Sequence, residues 1–328
     1  MKKERESAAI YYSNGESATR TQVRRKLLAE ELTQPLQRTP HPKRRNFEDW
    51  QPIMERRTRE YKELLAIPET VEIEIATERP VLVGLFGDVH ASHPECDLDR
   101  FGRDIDLVKE VGGYFMTFGD LTDSIGWNPT PGLTSDQEAM MYMQSALKYM
   151  AEDGHLLAGW TGDHDMWAFD KHNAHTMYQD FYEKYGAHLL DGVSYVDLCL
   201  NNGEEVQKYA IIGSHRHKGF SVYSDVHASW RQYNDEAKSG RNIISITAHN
   251  HSKGHSCQTR KVFGGEEAVI NSISLGTYKS SDRYSRKMGW PRKGEETAGS
   301  FGIVLHPEEQ RTQVFWSLDH AVEYLSKY

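Results

Sequence analysis

Five short clusters of Asp, His and Gly, each just beyond an apolar run, constrain this chain more than any other feature of its 328 residues. Asp88-Val89-His90 follows Val81–Phe86, and Gly119-Asp120-Leu121-Thr122-Asp123 follows Tyr114–Phe118. Gly162-Asp163-His164-Asp165 follows Leu156–Trp160, His215 follows Tyr209–Ile212, and His249-Asn250-His251 follows Ile243–Thr247. Short apolar runs bounded by such residues read as strands of a packed sheet, whose C-terminal ends deliver their loops to one edge. An Asp-x-His pair on such a loop can aim a carboxylate oxygen and an imidazole nitrogen at one ion. That donor set suits Mn, Fe, Zn or Ni better than Ca or Mg alone. None of the three cysteines (Cys96, Cys199, Cys257) lies in a cluster, which removes a Cys-rich structural zinc site from contention.

Further strands are predicted at Ala268–Ile273 and Phe301–Leu305, and a helix from Ser135 to Met150, where Ser135 and Glu138 make a capping box. Strand–helix alternation followed by a strand-rich C-terminal part predicts an α/β sandwich. Trp127, Trp160 and Trp167 flank the clusters and read as core packing rather than as stacking platforms. The cysteines are far apart and odd in number, which fits a reducing compartment. The start is charged and no apolar stretch follows it, so a cytoplasmic protein without a signal peptide is expected. No run approaches the roughly 20 apolar residues that span a bilayer, so no membrane partner is expected.

The formal net charge of −9 is unevenly spread. Residues 1–65 carry 15 Lys+Arg against 10 Asp+Glu, a local excess of +5 that leaves −14 for the remainder. A basic leader on an acidic body reads as an arm with its own partner. Residues 1–20 are polar and read as disordered, Thr21–Leu32 and Phe47–Leu65 have helical periodicity, and a Pro-broken basic linker lies at Thr39–Arg45. The expected division is residues 1–76, a helical N-terminal arm, and residues 77–328, a catalytic domain. The two helices could form a helix-turn-helix that docks on DNA; the other reading is a solvated arm.

The order D-V-H, G-D-L-T-D, G-D-H-D, H, A-H-N-H resembles the pattern D-x-H, G-D-x-x-D, G-N-H-D, H, G-H-x-H of the calcineurin-like metallophosphoesterases over residues 88–251. The resemblance implies a four-layer α-β-β-α sandwich of two mixed sheets and two divalent metal ions, Mn first among them. It implies that Asp88, His90, Asp120 and His251 hold one ion and Asp120, Asp163, His215 and His249 the other. A phosphate ester would be hydrolysed by metal-bound hydroxide. By the same resemblance His164 is the general acid and Asp123 the carboxylate that orients it. His215 is preferred to His217 because it lies nearer its strand end, which leaves His217 as a substrate contact or an exposed residue.

Two departures stand out. Asp163 occupies the usual Asn position and adds a negative ligand, and Ala248 replaces a glycine. After the last cluster, Gly276–Lys287 interleaves basic residues with tyrosines, which reads either as a substrate wall carrying Lys279 and Arg283 or as a solvated segment. Leu121-Thr122-Asp123-Ser124 departs from the protein-phosphatase pattern. The whole pattern resembles members found in phage genomes and, more distantly, the double-strand-break-repair nucleases, among which dimers are frequent. With the basic arm, the expectation is a phosphodiesterase or nuclease acting on DNA. The alternatives are a small-molecule phosphatase or cyclic-nucleotide phosphodiesterase, and an inactive binding scaffold.

Overall fold

The computed structural model describes residues 47–64, 69–123, 136–165, 174–219, 221, 223–236, 242–261, 267–280, 287 and 298–328. The chain divides into two units, residues 1–66 and 67–328. In the first, helix α1 (Phe47–Leu64) matches the second helical segment expected from periodicity. The other half of the expected helix-turn-helix lies outside the described residues. The division falls earlier than the expected boundary at residue 76, because Thr70–Ala76 is a strand, β1, paired in parallel with β6 (Ser194–Asn201). Its sequence, TVEIEIA, alternates apolar and acidic side chains, the period of a half-covered edge strand.

The second unit holds two six-stranded mixed sheets. One has the order β12 (Thr312–Phe315), β11 (Phe301–Leu305), β2 (Val81–Phe86), β3 (Tyr114–Phe118), β4 (Leu156–Trp160), β5 (His188–Leu190). The other has the order β1, β6, β7 (Val206–Ser214), β8 (Asn242–Thr247), β10 (Glu267–Ser274), β9 (Gly254–Lys261). Strands β2, β3 and β4 run parallel, as do β7, β8 and β10. Every motif-bearing strand therefore ends at the same edge of its sheet.

Alternation along these strands builds the layers. Val83 and Leu85 of β2, Met116 and Phe118 of β3, Tyr209 and Ile211 of β7, and Ile244 and Ile246 of β8 share one core between the sheets. The intervening residues face outwards. Leu82, Phe86 and Phe115 pack on α2 (Leu98–Glu110), α3 (Asp136–Ala151), α4 (Ala174–Lys184) and α6 (Leu318–Leu325), while Ile212, Ile243 and Ile270 pack on Tyr233 of α5 (His227–Glu236). The result is the four-layer α-β-β-α sandwich expected from sequence. Strand β2 is buried on both faces, hence its unbroken apolar run. Trp160 is core, as expected: its ring stacks on Phe118 at 4.5 Å, and Gly213 leaves the space it fills. Trp127 and Trp167 lie outside the described residues. Among the described residues no helix is long and apolar enough to cross a membrane.

Candidate metal centre

The loops after β2, β3, β4, β7 and β8 converge, and their backbones are unusual. Asp88, His90, Asp120, His249 and His251 all have φ between 50° and 68°. This left-handed conformation costs a non-glycine residue on the order of 1–3 kcal/mol and persists only where the surroundings enforce it. Here the enforcement is visible as bonds between loops. The Asp88 N–H donates to the Gly119 carbonyl at 3.0 Å, and the His90 N–H donates to the Asp120 carbonyl at 2.9 Å.

Gly119 and Gly162 let the second and third loops touch backbone to backbone. A Cβ on Gly119 would lie 2.5 Å from the Gly162 Cα, and one on Gly162 would land on the Asp120 nitrogen. Gly162→Ala is therefore expected to destabilise the protein by about 1–3 kcal/mol, the usual cost of overpacking. A chemical denaturation curve measures it, and unchanged stability would contradict the backbone contact.

Two aspartates are fixed in the same way. Asp88 Oδ2 accepts the His249 N–H at 2.8 Å, and Asp120 Oδ1 accepts the His164 N–H at 2.8 Å. Each carboxylate thus has one oxygen tied to another motif's backbone and the other directed among histidines. Asp88 Oδ1 lies 3.3 Å from His251 Nε2 and 3.8 Å from His90 Nε2. Asp120 Oδ2 lies 3.2 Å from His215 Nε2 and 3.9 Å from both His90 Nε2 and His164 Nε2. Asp120 therefore stands between two halves of the site.

The ring orientations are set from behind. His215 Nδ1 donates to the Phe118 carbonyl at 2.7 Å, and His90 Nδ1 donates to Asp123 Oδ1 at 2.9 Å. Both rings then present Nε2 inwards. His90 Nε2 and His251 Nε2 are 3.0 Å apart, both beside Asp88. Asp88–His90–His251 and Asp120–His215–His249 each bring three ligand atoms within 4.8 Å of one another.

These residues fit a cation. Asp88 Oδ1 and His215 Nε2 are buried atoms without a hydrogen-bond partner. Leaving such atoms unsatisfied costs about 1–3 kcal/mol each, and an ion bound beside each would remove the cost. The titration of the site points the same way. Burial alone would raise the Asp88 carboxyl, but the charge of His251 and the nearness of the His251 and His90 rings hold it well below the carboxylate range. Burial opposes the charged form of His215, yet Asp120 and then Asp88 push it up to about 10. His90 is likewise raised, by Asp123, Asp88 and Asp120 against burial and Lys279. A proton on the His215 ring balances the carboxylates, and a divalent ion would displace it.

Other expected residues are placed differently. Asp163 is on the rim, its Oδ2 3.4 Å from His249 Nδ1 and 3.3 Å from Arg216 Nη1, and 37% exposed. Asp123 is shared: its Oδ1 is 2.9 Å from His90 Nδ1 but 3.6 Å from His164 Nδ1. His90, not His164, is thus the histidine it holds most closely. His217 is in none of the ligand trios and pairs with Asp235 of α5, at 3.3 Å. Lys279 belongs to no exposed wall: it is buried, with its ammonium 3.2 Å from Asp123 Oδ1. Tyr278 of the same segment is core, stacked on Phe86 and donating to Asp104 Oδ2 at 2.7 Å, while residues 281–286 lie outside the described residues. Arg283 lies outside the described residues.

Three groups serve the site in ways the sequence did not disclose. Asp165 is buried, and its oxygens accept the N–H groups of Leu121 at 3.2 Å and Gly162 at 3.1 Å, which clamps the second and third loops together. Burial and then the charge of Asp120 push its carboxyl up to about 7. The signal was its spacing: three residues after Gly162, it reaches back to the first N–H of a helical turn as in a capping box. Thr277 Oγ1 donates to the Asp88 carbonyl at 2.8 Å, and Tyr278 N–H donates to the same oxygen at 3.1 Å. This makes the loop after β10 a sixth contributor to the site.

No family model matches this chain, and no curated protein matches it. Solved structures do. Yfce, a phosphoesterase from E. coli, aligns over 72% of this chain and 100% of its own, at 12% identity with a TM-score of 0.37. The calcineurin-like phosphoesterase YfkN from Bacillus subtilis aligns over 76% of this chain and 96% of its own, at 11% identity with a TM-score of 0.34. Likenesses of that depth leave the function to be argued from this chain's own residues.

Proposed function

We propose that this chain is a calcineurin-like, metal-dependent phosphoesterase that hydrolyses phosphate esters with two divalent ions, and that DNA phosphodiesters are its substrates. The observation that carries the reaction class is the paired arrangement at Asp88 and Asp120. Each has one oxygen tied to backbone and the other among imidazoles, with Asp120 common to both halves.

Asp88, His90, Asp120 and His251 would hold one ion. Asp120, His215 and His249 would hold the second, with Asp163 beside His249 as a further donor at the rim. Oxygen and nitrogen donors without sulfur favour Mn, Fe, Zn or Ni. When bound, such ions supply an activated water and the positive charge that clamps a phosphate for attack. The chain's residues do the rest. Asp123 and the Phe118 carbonyl fix the His90 and His215 rings. His164, 16% exposed at the cluster's edge, stands where a leaving oxygen could take its proton. DNA as substrate is supported by the +5 excess of residues 1–65, a phosphate-seeking feature on an otherwise acidic protein.

A substrate panel tests both levels. Single- and double-stranded DNA, RNA, cyclic nucleotides, bis-nitrophenyl phosphate and nitrophenyl phosphate are each incubated with Mn. We expect metal-dependent diester cleavage, and DNA affinity that falls with salt and is lost when residues 1–65 are removed. Preference for monoesters would replace the nuclease reading with a phosphatase. Absence of metal-stimulated turnover on every substrate would leave a binding scaffold.

A further inference from the structure

Beside the two trios assigned to ions lies a third. His90, Asp123 and His164 also bring ligand atoms within 4.8 Å of one another. Two imidazoles and a carboxylate are the same donor set as in the Asp88–His90–His251 trio, one that suits Zn, Ni or Mn. This position is already claimed by a charge of the chain's own. Lys279 Nζ lies 3.2 Å from Asp123 Oδ1, the oxygen that also faces His90 Nδ1 at 2.9 Å and His164 Nδ1 at 3.6 Å. The side chains of Lys279 and Asp123 are 5% and 6% exposed, so solvent does little to screen the ammonium.

Lys279 is delivered there by built backbone rather than by a wandering surface arm. Its N–H donates to Thr277 Oγ1 at 2.9 Å, and Thr277 Oγ1 in turn donates to the Asp88 carbonyl. Lys279 forms a bridge with Cys96, and the next residue, Ser280, donates its N–H to the Glu95 carbonyl at 3.0 Å. The loop after β10 is thus stitched along the loop after β2, and the ammonium is carried to Asp123.

We propose that Lys279 is the resident cation of this third trio, a positioning residue that keeps a third divalent ion off Asp123 and His164. The inference rests on the two-ion reading above. Its consequence follows from shared ligands. His90 belongs both to this trio and to the Asp88–His90–His251 trio, and His164 is the group placed to meet the leaving oxygen. An ion at Asp123 would draw on both rings. An ammonium neutralises the carboxylate without coordinating either imidazole, because its nitrogen has no vacant orbital to take a ring lone pair.

The test compares full-length wild type, Lys279→Met and Lys279→Arg. Ions per chain are measured by elemental analysis after dialysis against Mn or Zn, and the rate is measured across metal concentration. Wild type and Lys279→Arg are expected to bind two ions. Lys279→Met should bind a third and be inhibited by metal at concentrations lower by roughly tenfold, the scale on which groups behind metal ligands tune affinity. Rescue by arginine would mark the charge, not the packing, as the cause. If Lys279→Met does not fold, Lys279→Gln takes its place. A folded variant that binds two ions, with the metal–rate curve of the wild type, overturns the role of Lys279 alone. A wild type that binds no ion overturns the two-ion reading itself.

Discussion

Asp120→Asn is expected to lower kcat/KM by on the order of 10³-fold, the scale of losing a group that stabilises developing charge directly, and to leave the protein folded. The isostere separates the two jobs of this side chain. Its carbonyl oxygen can still accept the His164 N–H, as Oδ1 does now at 2.8 Å, so the join between the second and third loops is kept. Lost is the charge on the oxygen that faces His215 at 3.2 Å and His90 and His164 at 3.9 Å each. Asp120 is also the largest influence raising the proton affinity of His215 against burial. Without it, neither a proton nor a divalent ion is held at His215 as before, and both halves of the site lose their common ligand. Elemental analysis should show fewer than two ions per chain, with thermal unfolding of the ion-free protein near the wild type. Full activity with normal metal content would remove Asp120 from the centre of the site, and with it the two-ion reading.

What the sequence disclosed about the fold follows burial. All seven predicted strands are present: β2, β3, β4, β7, β8, β10 and β11. The strands it missed are β1, β5, β9 and β12, which are the four sheet edges, together with β6 beside one of them. An inner strand is covered on both faces and reads as a continuous apolar run, as VLVGLF does in β2. An edge strand such as GHSCQTRK in β9 carries polar side chains that no local rule separates from a loop. Thr70–Ala76 differs: it falls within the expected N-terminal arm although its alternation of apolar and acidic side chains has the period of an edge strand.

The site shows the same division at the level of single atoms. The residue types and their order placed Asp88, His90, Asp120, His215, His249 and His251 in one cluster, because strand ends in parallel register deliver them there. Which histidine Asp123 serves was not legible, since His90 and His164 reach the same oxygen and differ by under an ångström. Nor was the direction of Lys279. A basic residue beside a tyrosine five positions past a strand reads as surface, and contacts distant in the chain, such as that between Thr277 and Asp88 across 189 residues, turn that loop inwards.

The second large effect concerns His164, and it should depend on what leaves. His164→Asn is expected to slow cleavage of DNA by about 10²-fold or more, the range of general acid catalysis. Hydrolysis of bis-nitrophenyl phosphate should stay within about tenfold, because nitrophenolate departs without a proton while an alkoxide does not. The surroundings of the ring sharpen the prediction. Burial, then the like charge of His90, pushes His164 down to about 4, against the pull of Asp120 and Asp123. The ring is therefore neutral in the substrate-free protein at pH 7, and its proton must be taken up together with the anionic ester. A proton donor is lost as pH rises through its pKa, so kcat/KM on DNA should fall as pH rises above about 4 in the wild type, and this limb should be absent from His164→Asn. The measurement is a pair of pH profiles on the two substrates. If the variant loses the same factor on both at every pH, His164 holds charge or geometry in the site and gives no proton to the leaving group.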